Sequence, residues 1–403
     1  MKILHINFAD SIGGAAIAVR RLHLSLLDRG YNSHLLVHEK NTSYKNIFNS
    51  NSNISLIKNL IFQSIERKLL SFIDRDPLTS NSLNIFPTGF SKTINDFNAD
   101  VVNLHWIGNS LISIKEISKI KSKIVWTMHD MWPFSCTDHL NNDRSYIDKE
   151  FFSSKRKKIS FLEKYVWSQK KKYFKNLDLK IICSSKWMFE EVSKSYLFGS
   201  KKIKLLPIIL GDKKKISFDR NLSKSMFSFD KDKYLICNIS ENLNKPNKRV
   251  QELVNCIDNN SFFNKSNTEI VLVGEFKKKF KSNKEINIHH IGKLNDEISK
   301  KMLLSSMDVL TSSSQIETFG QVVLEALNEG VPCVIFENLG SSDLITHKNN
   351  GYNVQKDNFD DFSRGLSWVL TNLRDKKNKI KDNFNLNFNE DLIIKNYINF
   401  IKP

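Results

Sequence analysis

Short apolar runs rich in Ile, Val and Leu recur along the chain, separated by amphipathic stretches long enough to hold a helix. In the first half they are 2–8 (KILHINF), 34–39 (HLLVHE), 100–106 (DVVNLHW), 123–129 (KIVWTMH), 179–185 (LKIICSS) and 203–209 (IKLLPII). In the second half they are 234–240 (YLICNIS), 269–274 (EIVLVG), 286–292 (INIHHIG), 308–314 (DVLTSSS) and 332–337 (PCVIFE). Runs apolar on both faces predict parallel strands covered by helices, and the alternation predicts βαβ units. Six runs followed by five more predict two doubly wound, Rossmann-like α/β domains facing a central cleft. A polar, lysine-rich stretch at 210–232 has little periodicity and reads as the linker between them. The expected organisation is a first domain over 1–212, a second over 213–385, and a final helix over 386–403 that returns to the first.

In an open α/β sheet, ligands bind beyond the carboxyl ends of the strands, so the residues just after each run carry the interest. After the run 308–314 the chain reads QIETFGQVVLEALNEGVP, with Glu317 and Glu325 in a mostly apolar setting. A helix is expected from Thr318 to Glu329, stopped by Gly330 and Pro332. That places Glu317 at the helix entrance and Glu325 inside a buried helix, where a carboxylate costs several kcal/mol unless partners satisfy it. The residues alone leave two readings of each. Glu317 is a ligand group or an acid favoured by a helix N-terminus. Glu325 is a ligand group or half of a local salt bridge.

The surrounding text resembles a family. Glu317-Thr318-Phe319-Gly320, then Glu325-Ala326-Leu327, then Gly330-Val331-Pro332 is similar to the Glu-x7-Glu segment of the GT4-type retaining glycosyltransferases of GT-B fold, as in bacterial polysaccharide biosynthesis. The resemblance implies that Glu317 faces the donor sugar, that Glu325 holds the ribose hydroxyls, and that amides around Thr318, Phe319 and Gly320 hold the sugar. Further segments match in family order. Gly13 and Gly14 after the first strand resemble the loop that meets the donor diphosphate. His129, in the step His129-Asp130-Met131-Trp132, would face the donor sugar. Residues 238–254 resemble the loop that brings an Arg and a Lys onto the diphosphate. Lys248 matches the lysine, Glu241 or Asn242 stands at the arginine position, and Arg249 is a candidate substitute. Gly292, Lys293 and Leu294 match the loop that holds the base. Glu317, His129 and Lys248 are the residues the resemblance makes catalytic. A departure follows residues 183–198, where the family's Pro-Asn-Gly turn is replaced by Pro207-Ile208-Ile209-Leu210-Gly211-Asp212.

The implied reaction moves a sugar, of hexosyl type, from a nucleoside-diphosphate sugar to a hydroxyl of a saccharide acceptor, with retention of anomeric configuration. The setting implied is assembly of O-antigen, capsule or exopolysaccharide on a polyprenyl-diphosphate-linked acceptor. No cofactor and no metal are expected: the Asp-x-Asp matches at 74–76 and 230–232 lie in polar contexts and read as chance. A nucleotide-sugar epimerase of the same fold and a non-catalytic saccharide- or nucleotide-binding protein are the alternatives.

Composition adds three points. The 403 residues are 40% hydrophobic and 26% charged, ordinary for a globular protein, and no apolar run is long enough for a membrane span. The N-terminal run reaches Asp10 too early for a secretory signal. The five cysteines are scattered and read as buried thiols of a cytoplasmic protein. The net charge of +18 favours polyanions. No nucleic-acid motif accompanies it, so nucleic acid is not an expected partner. The basic aromatic segment 151–175 and the amphipathic segment 55–73 are candidates for an anionic membrane surface at the inner leaflet, or for packing into the first domain.

Overall fold

The computed structural model describes all residues except 51–52, 74–78, 142, 152–158, 212–215, 295 and 403, together with the side chains of 53–58. The 74–76 motif and part of the basic segment therefore lie outside the described residues. The chain divides into two compact units, Met1–Gly211 with Glu390–Pro403, and Asp212–Asn389.

Among the described residues the first unit holds β1 (Lys2–Ala9), β2 (Asn32–Glu39), β3 (Ile47–Asn49), β4 (Val101–Leu104), β5 (Lys123–Met128), β6 (Leu179–Cys183) and β7 (Lys202–Leu205). They form one parallel sheet in the order β3-β2-β1-β4-β5-β6-β7. The second unit holds β8 (Tyr234–Asn242), β9 (Thr268–Glu275), β10 (Asn287–Ile291), β11 (Val309–Ser312), β12 (Cys333–Phe336) and β13 (Gly351–Val354), again all parallel, in the order β10-β9-β8-β11-β12-β13. Each sheet therefore reverses its winding once, between β1 and β4 and between β8 and β11. At such a switch point two neighbouring loops diverge and leave a crevice. The central strands are apolar on both faces because helices cover both: Ile3, Leu4 and Ile6 are buried, as are Ile270, Val271 and Leu272.

All eleven expected runs are strands. Two further strands, β3 and β13, escape the pattern because they are short edge strands with mixed residues. The segment expected to be a structureless linker contains a helix, Arg220–Met226, whose first turn is capped by the Asp219 side chain accepting from Leu222 N. Its Lys224 is buried, and the ammonium donates to the carbonyls of Asp230, Lys231 and Lys233. Seven residues are too few to display a helical period. The helix expected from Thr318 begins only at Gln321 and ends at Asn328, because Gly320 takes a left-handed conformation and halts the backbone before it.

The C-terminal helix, Glu390–Ile401, packs in the first unit. Ile394, Tyr397, Ile398 and Ile401 are buried with Ile3, Val101, Val125 and Ile182. Each such side chain contributes roughly 1.5–3 kcal/mol of burial. Glu390 Oε1 accepts from the amides of Leu210 and Gly211 at 2.8 and 2.9 Å, so the unusual 207–211 turn is tied directly to this helix.

The two candidate membrane segments differ. In the helix Phe161–Phe174, Val166, Trp167 and Phe174 join the core while Phe161 and Tyr165 are exposed. Along Asn53–Leu70 and just beyond it, Leu70 and Ile73 are buried, but Leu60, Ile61, Ile65 and Phe72 lie on the surface. No helix among the described residues is long and apolar enough to cross a membrane. All five cysteines are buried, and none forms a disulfide among the described residues.

Candidate active site

In the second unit the switch point gathers the predicted residues of two loops. The loop after β8 ends in a short 3-10 turn, Pro246–Lys248, and the loop after β11 runs from Ser313 to Gly320. They are joined by backbone: Gln315 N donates to Asn247 O at 2.8 Å, and Ser313 Oγ donates to Lys248 O at 2.6 Å. This holds Lys248 Nζ 3.5 Å from Glu317 Oε2 and 3.2 Å from Ser314 Oγ. Both side chains keep about a quarter of their surface exposed, 23% for Lys248 and 25% for Glu317. The arrangement is a cation and a carboxylate side by side at a strand-end crevice, open to a ligand that carries both phosphate and hydroxyl groups.

Thr318 is half-buried and Phe319 is buried. Their backbone lies against the loop after β12, where Gly340 N donates to Glu317 O at 2.7 Å. Contact is close enough that a Cβ on Gly340 would stand 2.0 Å from Thr318 O, and one on Gly320 would stand 2.5 Å from Ser341 Cβ. The loop that presents Glu317 is thus shaped by backbone-to-backbone packing.

Glu325 is buried one turn into the Gln321–Asn328 helix, and its Oε1 accepts from Lys300 Nζ at 2.8 Å. The salt-bridge alternative is therefore realised. Arg249 does not join Lys248. Its guanidinium donates to Ser313 O and Asp357 and lies over the rings of Phe336 and Phe359, at 4.7 and 5.2 Å. That geometry supports the β11 loop from behind. Gly292, Lys293 and Leu294 follow β10; Gly292 and Lys293 are exposed, and Lys293 pairs with Glu275 at 3.5 Å.

In the first unit Gly13, at φ +88°, precedes the helix Gly14–Asp28, and its surroundings are open within 4 Å. The Gly14 end of this helix follows the carboxyl end of β1, and a helix N-terminus favours negative charge. His129 follows β5 directly. It lines a mostly apolar recess with His105, Thr127, Ser184 and Tyr397. Its Nε2 lies 2.9 Å from His105 Nδ1, and burial lowers its pKa to about 4, so the ring is neutral at pH 7. His105 and, behind it, His5 were not singled out from the sequence. The one available signal was a histidine in or just after each of three strand runs. Beyond Pro133, His139 joins Asp130, Ser82 and Trp106 in one hydrogen-bonded cluster.

Two family models match. Residues 12–208 match "Glycosyltransferase Family 4" and residues 219–385 match "Glycosyl transferases group 1". No curated protein matches the sequence. Among solved structures, WaaG, a glycosyltransferase involved in lipopolysaccharide biosynthesis, aligns with a TM-score of 0.67 at 14% identity over 99% of each chain. HepE of Anabaena in complex with UDP and glucose aligns at 0.60 with 12% identity over 99% of this chain and 98% of that one. TarM of S. aureus, in a complex that includes UDP, aligns at 0.63 with 12% identity over the whole of both chains. Such identities speak for the fold. With both units matched in order, the chain belongs to the GT4-type glycosyltransferases, enzymes of GT-B fold.

Proposed function

We propose that the chain transfers a hexosyl group from a nucleoside-diphosphate sugar to a hydroxyl of a saccharide acceptor, with retention of anomeric configuration. The observation that carries this is the Lys248–Glu317 pair at the switch point of the second unit. Lys248 would hold the diphosphate and stabilise the charge that grows on it as the glycosidic bond breaks. Glu317 would receive hydroxyls of the sugar, and Glu325 would exchange Lys300 for the ribose diol. No carboxylate is assigned as nucleophile. The acceptor hydroxyl attacks from the face the diphosphate leaves, and the departing phosphate oxygen takes its proton. Positioning and charge then supply the rate. Neither a metal nor a cofactor has a part in this scheme, so activity should survive EDTA.

UDP is the first donor nucleotide to try, since HepE and TarM are solved with it. WaaG supports a place in surface-polysaccharide assembly, with lipopolysaccharide the first class and capsule the second. The acceptor would be lipid-linked and met at the inner leaflet of the cytoplasmic membrane. The exposed Leu60, Ile61, Ile65 and Phe72, on a chain of net charge +18, support that contact. The deciding experiment incubates UDP-sugars with lipid-linked oligosaccharide and reads the product anomer by NMR. Release of free sugar alone, or interconversion of the donor without an acceptor, would overturn transfer.

A further inference from the structure

Three histidines stand in file on one face of the first sheet. His5 lies within β1, His105 directly after β4 and His129 directly after β5, three neighbouring strands. His5 Nδ1 is 3.0 Å from His105 Nε2, and His105 Nδ1 is 2.9 Å from His129 Nε2. His5 and His105 are buried, and Tyr397 of the C-terminal helix stacks beside His5 with ring centroids 6.3 Å apart. Burial holds all three pKa values below the ordinary histidine value, so each ring is neutral and carries one N–H.

Two hydrogen bonds in series between neutral imidazoles can run in only two directions. If the N–H groups point from His129 toward His5, the last one is His5 Nε2–H, a buried donor with no acceptor. If they point the other way, His5 Nε2 is left as a bare lone pair and the last N–H is Nδ1–H of His129, in the half-buried ring at the recess. Buried orphan N–H groups are the rarer of the two.

We propose that His5 and His105 are positioning residues that lock His129 as its Nδ1–H tautomer, a neutral donor aimed at a hydroxyl oxygen of the donor sugar. Only the last clause rests on the role that the family resemblance implies for His129, facing the donor sugar. The tautomer is readable without any ligand, by two-bond proton–nitrogen correlation of the full chain labelled at its ten histidines, assigned with single His→Asn variants. The expected signature is Nδ1–H at His5, His105 and His129. An Nε2–H signature at His129 overturns the file. His5→Phe removes the donor at its head, so His129 should become a mixture of tautomers and donor KM should rise about two- to tenfold with kcat little changed. His5→Gln restores an N–H toward His105 and should restore both readings. Gln behaving no better than Phe overturns the directional role. A correct tautomer with donor KM unmoved in His129→Ala overturns the sugar contact while leaving the file intact.

Discussion

Acidification should weaken the first unit through its buried histidines. His129 titrates at about 4 in the folded chain against 6.5 for an ordinary histidine, with burial as the main cause. Because the folded value is the lower one, the unfolded chain takes up the proton first as pH falls. The stabilising share of His129 is therefore complete above about pH 6.5 and is lost between 6.5 and 4. Integrating that difference from pH 7.5 down to 5 gives at most about 2 kcal/mol, an upper bound because the ring is only half-buried. His5 and His105, both fully buried with pKa values pushed well down, lose stability in the same direction. Tryptophan fluorescence during urea unfolding is the assay, since Trp106, Trp126, Trp132, Trp167 and Trp187 lie in the first unit and Trp368 in the second. Titrations at several pH values should show the first unit's free energy falling between pH 7.5 and 5. His129→Asn should flatten that fall by up to about 2 kcal/mol. Parallel pH profiles in wild type and variant would refute the depressed pKa and the neutral ring with it.

Further outcomes are expected in the second unit and at the surface. Glu325→Ala leaves the largely buried Lys300 without this partner, so the unit should lose about 3 kcal/mol. UDP at about 100 times its dissociation constant should raise wild-type stability by about 2.7 kcal/mol and leave the variant unchanged in a thermal-shift assay. Lys248→Met should lower kcat about a hundredfold with a smaller change in donor KM; equal kcat values would remove Lys248 from the leaving-group role. Gly320→Ala must carry φ +87° and a Cβ 2.5 Å from Ser341 Cβ, so melting temperature and donor affinity should fall together, by about 1–3 kcal/mol in stability. Leu60→Glu with Phe72→Glu should abolish flotation with anionic liposomes at moderate salt while leaving the transfer rate on a soluble acceptor unchanged. Flotation equal to wild type would clear this face of membrane contact.

Strand positions were legible because a central parallel strand covered on both faces must be apolar throughout, and the edge strands β7 and β10 still lie in runs apolar enough to stand out. Where that constraint relaxes, so does the signal. β3 and β13 are edge strands, and Arg220–Met226 is a helix too short for a period. Glu317, Glu325 and Lys248 were legible as a motif, since a ligand site needs particular side chains at particular strand ends. Their present partners were not. Lys248 meets Glu317 because Gln315 and Ser313 join two loops 65 or more residues apart, a contact that no local pattern encodes. Arg249 follows Lys248 in sequence yet turns to Asp357, because its left-handed backbone at φ +49° redirects the side chain. The residue types and their order along the chain thus belonged to the sequence alone. Which imidazole leans on which, and which carboxylate faces which lysine, came only with the sheet, because parallel pairing sets side by side residues that the chain keeps far apart.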